Sequence, residues 1–140
     1  MNKSTFYAHY GDIYELSDQL EDKLIRNILA SVPNVELTAA RTEQLTRDLF
    51  RAFVQNQTAV NILFSGARQG IFANRIESGL RERVTARDPS FAADPDRGIL
   101  LSFCVQGCFY AFANNSSRMD EDHLVDLLAV IAKAAQSLNA

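Results

Sequence analysis

The chain has 140 residues, of which 47% are hydrophobic, and its formal net charge is −3. A chain of this size and composition is expected to fold as one globular domain rather than to remain disordered. The small negative charge disfavours a nucleic-acid coat protein or a membrane-surface protein, although basic residues can still be concentrated in one element. No apolar run approaches the roughly 20 residues that span a bilayer, and the first residues lack the apolar core of a signal peptide. We therefore expect a cytoplasmic protein without a membrane partner.

Helical periodicity runs through nearly the whole chain and predicts an all-α fold. The first predicted helix covers Lys3–His9, and a second extends from Asp12 to about Val32. The second helix carries one apolar stripe, formed by Ile13, Leu16, Leu20, Leu24 and Ile28. Its acidic residues are interpreted as a solvated face rather than as an acid–base pair: Asp18, Glu21 and Asp22.

The middle of the chain is predicted to contain two more helices and a short apolar piece. A third helix starts near Thr38 or Ala40, and a polar break follows its end. The short apolar piece covers Val60–Phe64, and the next helix covers Arg68 to about Ala86. Residues 88–93 are predicted to form a loop.

Two helices are predicted at the C-terminal end. Asp94 and Pro95 are typical of a helix start, since aspartate caps the free amides and proline at the first position loses no hydrogen bond. That helix extends to about Ala113, and the last helix begins near Met119 with Asp120 in its first turn.

The C-terminal pair predicts a dimer. The helix from Pro95 is apolar on every side, so it needs cover on every side, and the last helix is rich in small alanines that permit close approach. We expect the pair to form a four-helix bundle with a second copy. The alternative is that the first of the pair is the central helix of a monomer. The predicted interface residues are Leu101, Val105, Cys108, Phe109, Phe112, Leu124, Leu128, Ile131 and Ala135.

The sequence contains no recognisable catalytic arrangement. No serine–histidine–aspartate order, phosphate loop or dinucleotide fingerprint is present, so we do not expect an enzyme. Cys104 and Cys108 share a helix face, but the chain has only His9 and His123 as further strong metal ligands. Core packing is the favoured interpretation of this cysteine pair, with a redox sensor as the alternative. No metal or other cofactor is expected.

The most specific pattern lies at the start of the chain, in the string Thr5-Phe6-Tyr7-Ala8-His9-Tyr10. Phe6 and Tyr10 are four residues apart and can anchor a short helix, which leaves polar side chains for phosphates or base edges. The string, the turn and the amphipathic helix that follow resemble the end of the helix-turn-helix in the TetR family of bacterial transcription regulators. The resemblance implies an all-α, TetR-like regulatory domain whose C-terminal helices form the dimeric four-helix bundle.

The resemblance also assigns residue roles. Lys3, Ser4 and Thr5 would face the major groove or its flanking phosphates, and Tyr7 and His9 would bind phosphate. Ile13 stands where the family often has a basic phosphate-binding residue. Residues 1–11 would be a remnant of the helix-turn-helix, and residues 12–140 would sense a ligand and dimerise. We expect the motif's first two helices to be missing, through a misassigned start codon, a deliberate truncation or a natural short form.

The implied function is that of a transcription repressor. In the full-length form, a homodimer would bind operator DNA, and an unknown small-molecule effector in the helical body would release it. Candidate pocket residues combine aromatic and stray polar groups: Phe53, Asn61, Phe64, Arg68, Phe72, Phe103 and Gln106. Two alternatives stay open, namely a helical protein-interaction dimer that never binds DNA and a small-molecule-binding protein without regulatory output.

Overall fold

A computed structural model describes residues 13–139, and this part of the chain contains helices and no strand. The six α-helices are α1 (Ile13–Ala30), α2 (Ala39–Gln55), α3 (Gln57–Leu63), α4 (Gln69–Arg87), α5 (Pro95–Asn115) and α6 (Glu121–Gln136). Three 3-10 turns accompany them, at Gly66–Arg68, Pro89–Ala93 and Ser137–Asn139. The prediction of an all-α fold is therefore confirmed.

The helix starts at the C-terminal end follow from capping. Asp94 accepts hydrogen bonds from the backbone amides of Asp96 (3.2 Å) and Arg97 (3.4 Å), with Pro95 in the first position of α5 as predicted. Asp120 accepts a hydrogen bond from the amide of His123 at 2.9 Å. The expectation that Asp120 lies in the first turn of the last helix is thus corrected, because it is the cap and α6 begins one residue later.

The segment predicted as a loop before α5 contains the 3-10 turn Pro89–Ala93. Phe91 anchors this turn because its side chain is buried, and the guanidinium groups of Arg97 and Arg81 lie 5.1 Å and 5.8 Å from its ring centre. A single buried aromatic in a polar stretch carries no periodicity, so the pattern along the chain could not reveal it.

Aromatic side chains form the centre of the core. Phe53 of α2 lies 5.6 Å from Phe72 of α4 and 5.5 Å from Phe112 of α5, measured between ring centres. Phe50 lies 4.9 Å from Phe112. The most extensive helix pair is α2 with α6, and α5 packs against both α4 and α6. These contacts enclose the space between α2, α4 and α5.

Helix α1 is buried only in its second half. Leu24 and Ile28 of the predicted stripe are buried, whereas Ile13 and Leu20 are exposed. The apolar stripe predicted from the spacing is thus buried only in its second half, because the buried side chains of α1 begin at Glu21. Helical spacing identifies a face that can be buried, but the position of the neighbouring helices decides how far the burial extends.

Helices α1 and α4 are in contact at Gly79. This glycine is buried in the middle of α4, and a Cβ atom built on it would overlap Cδ1 of Leu29 in α1. The absence of a side chain at this position lets the two helices pack at short range.

Candidate functional site

An apolar cavity of about 100 Å³, half open to the outside, lies between the helices. Its walls come from five helices, with Ile28 from α1, Phe53 from α2, Phe72 from α4, Cys104 from α5 and Ala132 from α6 among them. The wall contains no aspartate, glutamate, lysine, arginine or histidine. Its apolar lining favours an uncharged apolar molecule over a charged one.

Three polar side chains border the cavity, and two of them are already hydrogen-bonded within α2. The hydroxyl of Thr42 donates to the carbonyl of Thr38 at 2.6 Å, and that of Thr46 donates to the carbonyl of Thr42 at 2.8 Å. The third is Gln136, which is 7% exposed and whose Nε2 lies 4.0 Å from Sγ of Cys104. Sulfur is a weak acceptor, but no fully buried side-chain nitrogen or oxygen among the described residues lacks a hydrogen-bond partner, so Gln136 is not left both buried and unsatisfied.

Cys104 and Cys108 both line the cavity and both are reduced thiols. Burial raises the pKa of Cys104, which the contact from Gln136 only partly offsets. Burial, with a smaller contribution from Cys104, raises the pKa of Cys108 to about 12. Because the thiolate is the reactive form, a protonated Cys108 is a poor nucleophile and a poor metal ligand at neutral pH. The geometry favours packing over redox sensing.

The seven predicted pocket residues are not all brought together. Phe53 and Phe72 line the cavity, and Phe64 lies behind the wall with its ring centre 5.3 Å from that of Phe72. Asn61 is exposed on α3. Phe103 is 70% exposed and borders a shallow surface groove instead.

The two remaining predicted pocket residues make polar contacts at the surface. Nε2 of Gln106 donates to Oδ1 of Asn74 at 2.8 Å and to Oε1 of Glu77 at 3.3 Å, so it lies between α5 and α4. Arg68 donates to the Leu63 carbonyl at 3.3 Å and to Glu21. The sequence reasoning missed the cavity walls supplied by the threonines of α2 and by the C-terminal end of α6. The cysteine pair on one face of α5 could have indicated which side of α5 forms part of the cavity wall.

Glu21 joins α1 to the start of α4. It is 2% exposed, its Oε1 accepts a hydrogen bond from Arg68, and its Oε2 lies 3.4 Å from Nη1 of Arg75. Arg75 also donates to the neighbouring Asp22. The interpretation of Glu21 as part of a solvated face is therefore wrong, because two arginines approach from α4 and the preceding turn. No pattern within α1 indicates these partners.

The predicted interface residues divide into three groups. Leu101, Phe112, Leu124 and Leu128 are buried in the chain's own core, where α2, α4 and α6 cover them, and these four are corrected to core residues. Val105, Cys108 and Phe109 line the cavity. Ile131 is half exposed and Ala135 is at the edge of the core, so these two remain accessible from outside.

Apolar side chains remain uncovered on the outer sides of α5 and α6. We call this surface the outer stripe, formed by Ile99, Phe103, Tyr110, Leu127, Val130 and Ile131. Phe103 and Tyr110 are seven residues apart and share one face of α5, with the open Gly107 between them.

The predicted DNA-contact residues Lys3, Ser4, Thr5, Tyr7 and His9 lie outside the described residues. Within residues 13–139, no helix is long and apolar enough to cross a membrane. The same part of the chain holds no group of three or more potential metal ligands. No protein-family model, curated protein or solved structure matches this chain.

Proposed function

We propose that this chain is the ligand-sensing and dimerising part of a TetR-like transcription repressor. The observation that carries the proposal is the position of α1, which follows the recognition-helix-like string of residues 5–10 and supplies Ile28 to the cavity wall. A molecule in the cavity would therefore contact the same helix that leads to the string. The proposal rests on the sequence resemblance for its DNA-binding part.

The ion-pair cluster around Glu21 supports coupling between the cavity and α1. Phe72, Ala73 and Ile76 of α4 line the cavity, and Arg75 of the same helix is paired with Glu21 and Asp22 of α1. If a ligand pushed α4 away from the cavity, Arg75 would pull Glu21 and Asp22 with it and so move the first half of α1. Such coupling requires the ligand to bind one of the two arrangements more tightly.

The outer stripe supports the dimer. Exposed apolar patches larger than a few hundred Å² are rare on monomeric proteins and mark interaction sites. A second copy would bring two outer stripes together as a four-helix bundle, with α5 and α6 from each chain. Two recognition helices placed about 34–36 Å apart by such a dimer would match successive turns of one DNA face.

Light scattering coupled to size exclusion tests the dimer. We expect a dimer for the unchanged chain and a monomer for Phe103→Glu, because the carboxylate would be buried without a partner. Ile62→Glu is the matched control, since Ile62 is exposed to a similar extent on α3 and lies away from the outer stripe. A monomer for the unchanged chain at high concentration contradicts the dimer.

The DNA-binding part is tested on a chain extended by the codons upstream of Met1. Two predicted helices in frame, and an operator complex in a gel shift that an effector dissolves, would support the repressor. A stop codon directly upstream, together with a dimer that binds no DNA, would instead favour the helical dimer that acts as a protein-interaction or small-molecule-binding module.

A further inference from the structure

The cavity wall offers a ligand almost no hydrogen-bond donor or acceptor. Thr42, Thr46 and Gln136 belong to the wall, yet almost none of the surface that faces the cavity is polar. Both threonine hydroxyl groups donate to carbonyl oxygens within their own helix. No fully buried side-chain nitrogen or oxygen among residues 13–139 lacks a hydrogen-bond partner. The polar groups of the wall are therefore used inside the protein.

Such a wall selects against hydrogen-bonding groups as well as against charge. A hydroxyl group gives up its hydrogen bonds to water when it enters an apolar space, and nothing in this wall replaces them. A methyl group of similar size loses no hydrogen bond and is stabilised by leaving water. Two molecules of the same shape should thus differ in affinity according to how many polar groups they must bury.

The volume and the opening of the cavity restrict the size of a ligand. At about 100 Å³ the space is smaller than the engineered apolar cavity of about 150 Å³ that binds benzene. One aromatic ring, or an aliphatic chain of similar volume, fits with small movements of the lining side chains. The half-open side leaves room for a short substituent. A ligand with several rings would require the helices to separate.

We propose that the cavity binds a small hydrocarbon, which is a single aromatic ring or a short aliphatic chain without charged or hydrogen-bonding groups. The ligand is held by its exclusion from water and by contact with the surrounding aromatic and aliphatic side chains. This inference names the ligand class and rests on the ligand-sensing part of the proposed function. It requires neither DNA binding nor dimerisation.

Three probes of the same shape test the selectivity, by calorimetry on the complete 140-residue chain with a reducing agent. p-Xylene has a methyl group at each end of its ring, p-cresol has a hydroxyl group in place of one of them, and hydroquinone has hydroxyl groups in place of both. The hydroxyl group of p-cresol can stay at the opening, whereas hydroquinone must bury one whichever way it lies. We expect p-xylene to bind at least about tenfold more tightly than hydroquinone, with p-cresol no tighter than p-xylene.

Three results of this series would overturn the proposal. The first is binding of hydroquinone as tightly as p-xylene, and the second is binding of p-cresol more tightly than p-xylene, because either would show that the site supplies a hydrogen-bond partner. The third is a failure of both p-xylene and benzene to bind, because the cavity would then hold no hydrocarbon of the proposed size.

Two variants of Cys108 locate the site, since this side chain lines the cavity. Cys108→Leu adds volume to the wall and should weaken p-xylene binding at least about tenfold. Cys108→Ala removes the sulfur, enlarges the space and should strengthen p-xylene binding several-fold, and this variant decides the question if circular dichroism shows that the leucine variant does not fold. Phe103→Ala is the control for adsorption to the outer stripe and should leave binding unchanged. Unchanged binding in both Cys108 variants, or loss of binding in Phe103→Ala, would place the ligand outside the cavity and overturn the proposal.

The outcome separates this inference from the proposed function. Binding of p-xylene in the cavity with no effect on an operator complex of the extended chain would support the ligand class and contradict the repressor. Release of the operator by a charged effector, with no binding of p-xylene, would support the repressor and overturn the ligand class.

Discussion

Substitution by alanine should have opposite effects on stability at Gly79, where α1 and α4 are in contact, and at Gly107, where a side chain has open space. An alanine in the middle of an exposed helix is favoured over glycine by about 1 kcal/mol. At Gly107 a Cβ would have nothing within 4 Å, so Gly107→Ala should raise the free energy of unfolding by about 0.5–1 kcal/mol. At Gly79 the Cβ would overlap Cδ1 of Leu29, whose side chain is buried and has little room to turn. Overpacking of this kind costs about 1–3 kcal/mol, so Gly79→Ala should lower stability by up to about 2 kcal/mol.

Urea unfolding followed by circular dichroism measures both effects. Both substitutions are made in the Phe103→Glu background, so that association through the outer stripe does not contribute to the stability of either variant. The difference between the two should be about 1–3 kcal/mol in favour of Gly107→Ala. Equal stabilisation by both alanines would refute the reasoning, because it would mean that α1 and α4 do not pack at short range.

Three further predictions concern ionisable groups. Replacing Arg68 and Arg75 together by methionine should lower the free energy of unfolding, measured in urea, by about 3–5 kcal/mol, because the carboxylate of Glu21 stays buried without a partner. Glu21→Gln should lower it by only about 1–2 kcal/mol, because the two arginines can turn to solvent. The reverse order would contradict the ion-pair geometry. Burial of Glu77 raises its pKa, but hydrogen bonds from Ser102, Gln106 and Arg81 outweigh this and leave the pKa lowered. The stabilisation by Glu77 is therefore full at neutral pH and is lost only as the pH falls through its lowered pKa, so Glu77→Gln should be less stable than the unchanged chain near about pH 7, and this difference should shrink below the ordinary carboxyl range. Cys108, with a pKa of about 12, should react with iodoacetamide far more slowly than a free cysteine at about pH 8, and rapid labelling of Cys108 would show that the cavity opens.

The helical content and most helix bounds could be predicted from the sequence because their signals are local. The start of α5 depends on Asp94 and Pro95, whose effects act within one turn. The polar break after α2 is also local, and the structure has Asn56 there between α2 and α3. Apolar residues on every side of α5 are also visible in the sequence, and Ile99 and Phe103 remain exposed in the structure.

The candidate site was only half accessible to sequence reasoning. Phe53 and Phe72 both line the cavity, because large aromatics on amphipathic helices point to the core. Gln106 and Phe103 were chosen on residue type, and the rotation of α5 turns the first towards Glu77 and the second towards solvent. Which face of α5 meets the cavity depends on α4 and α6, which are distant in sequence.

The sequence by itself determined that the chain is helical, where most of its helices begin, and which helix faces are apolar. Those properties follow from periodicity and capping, which involve neighbours within about four residues. Only the tertiary structure decided that Glu21 is buried between two arginines and that Leu101 belongs to the core. It also decided that Gln136 closes a cavity with Cys104. Each of these depends on a side chain from a helix far along the chain, and no local pattern records which helix that will be.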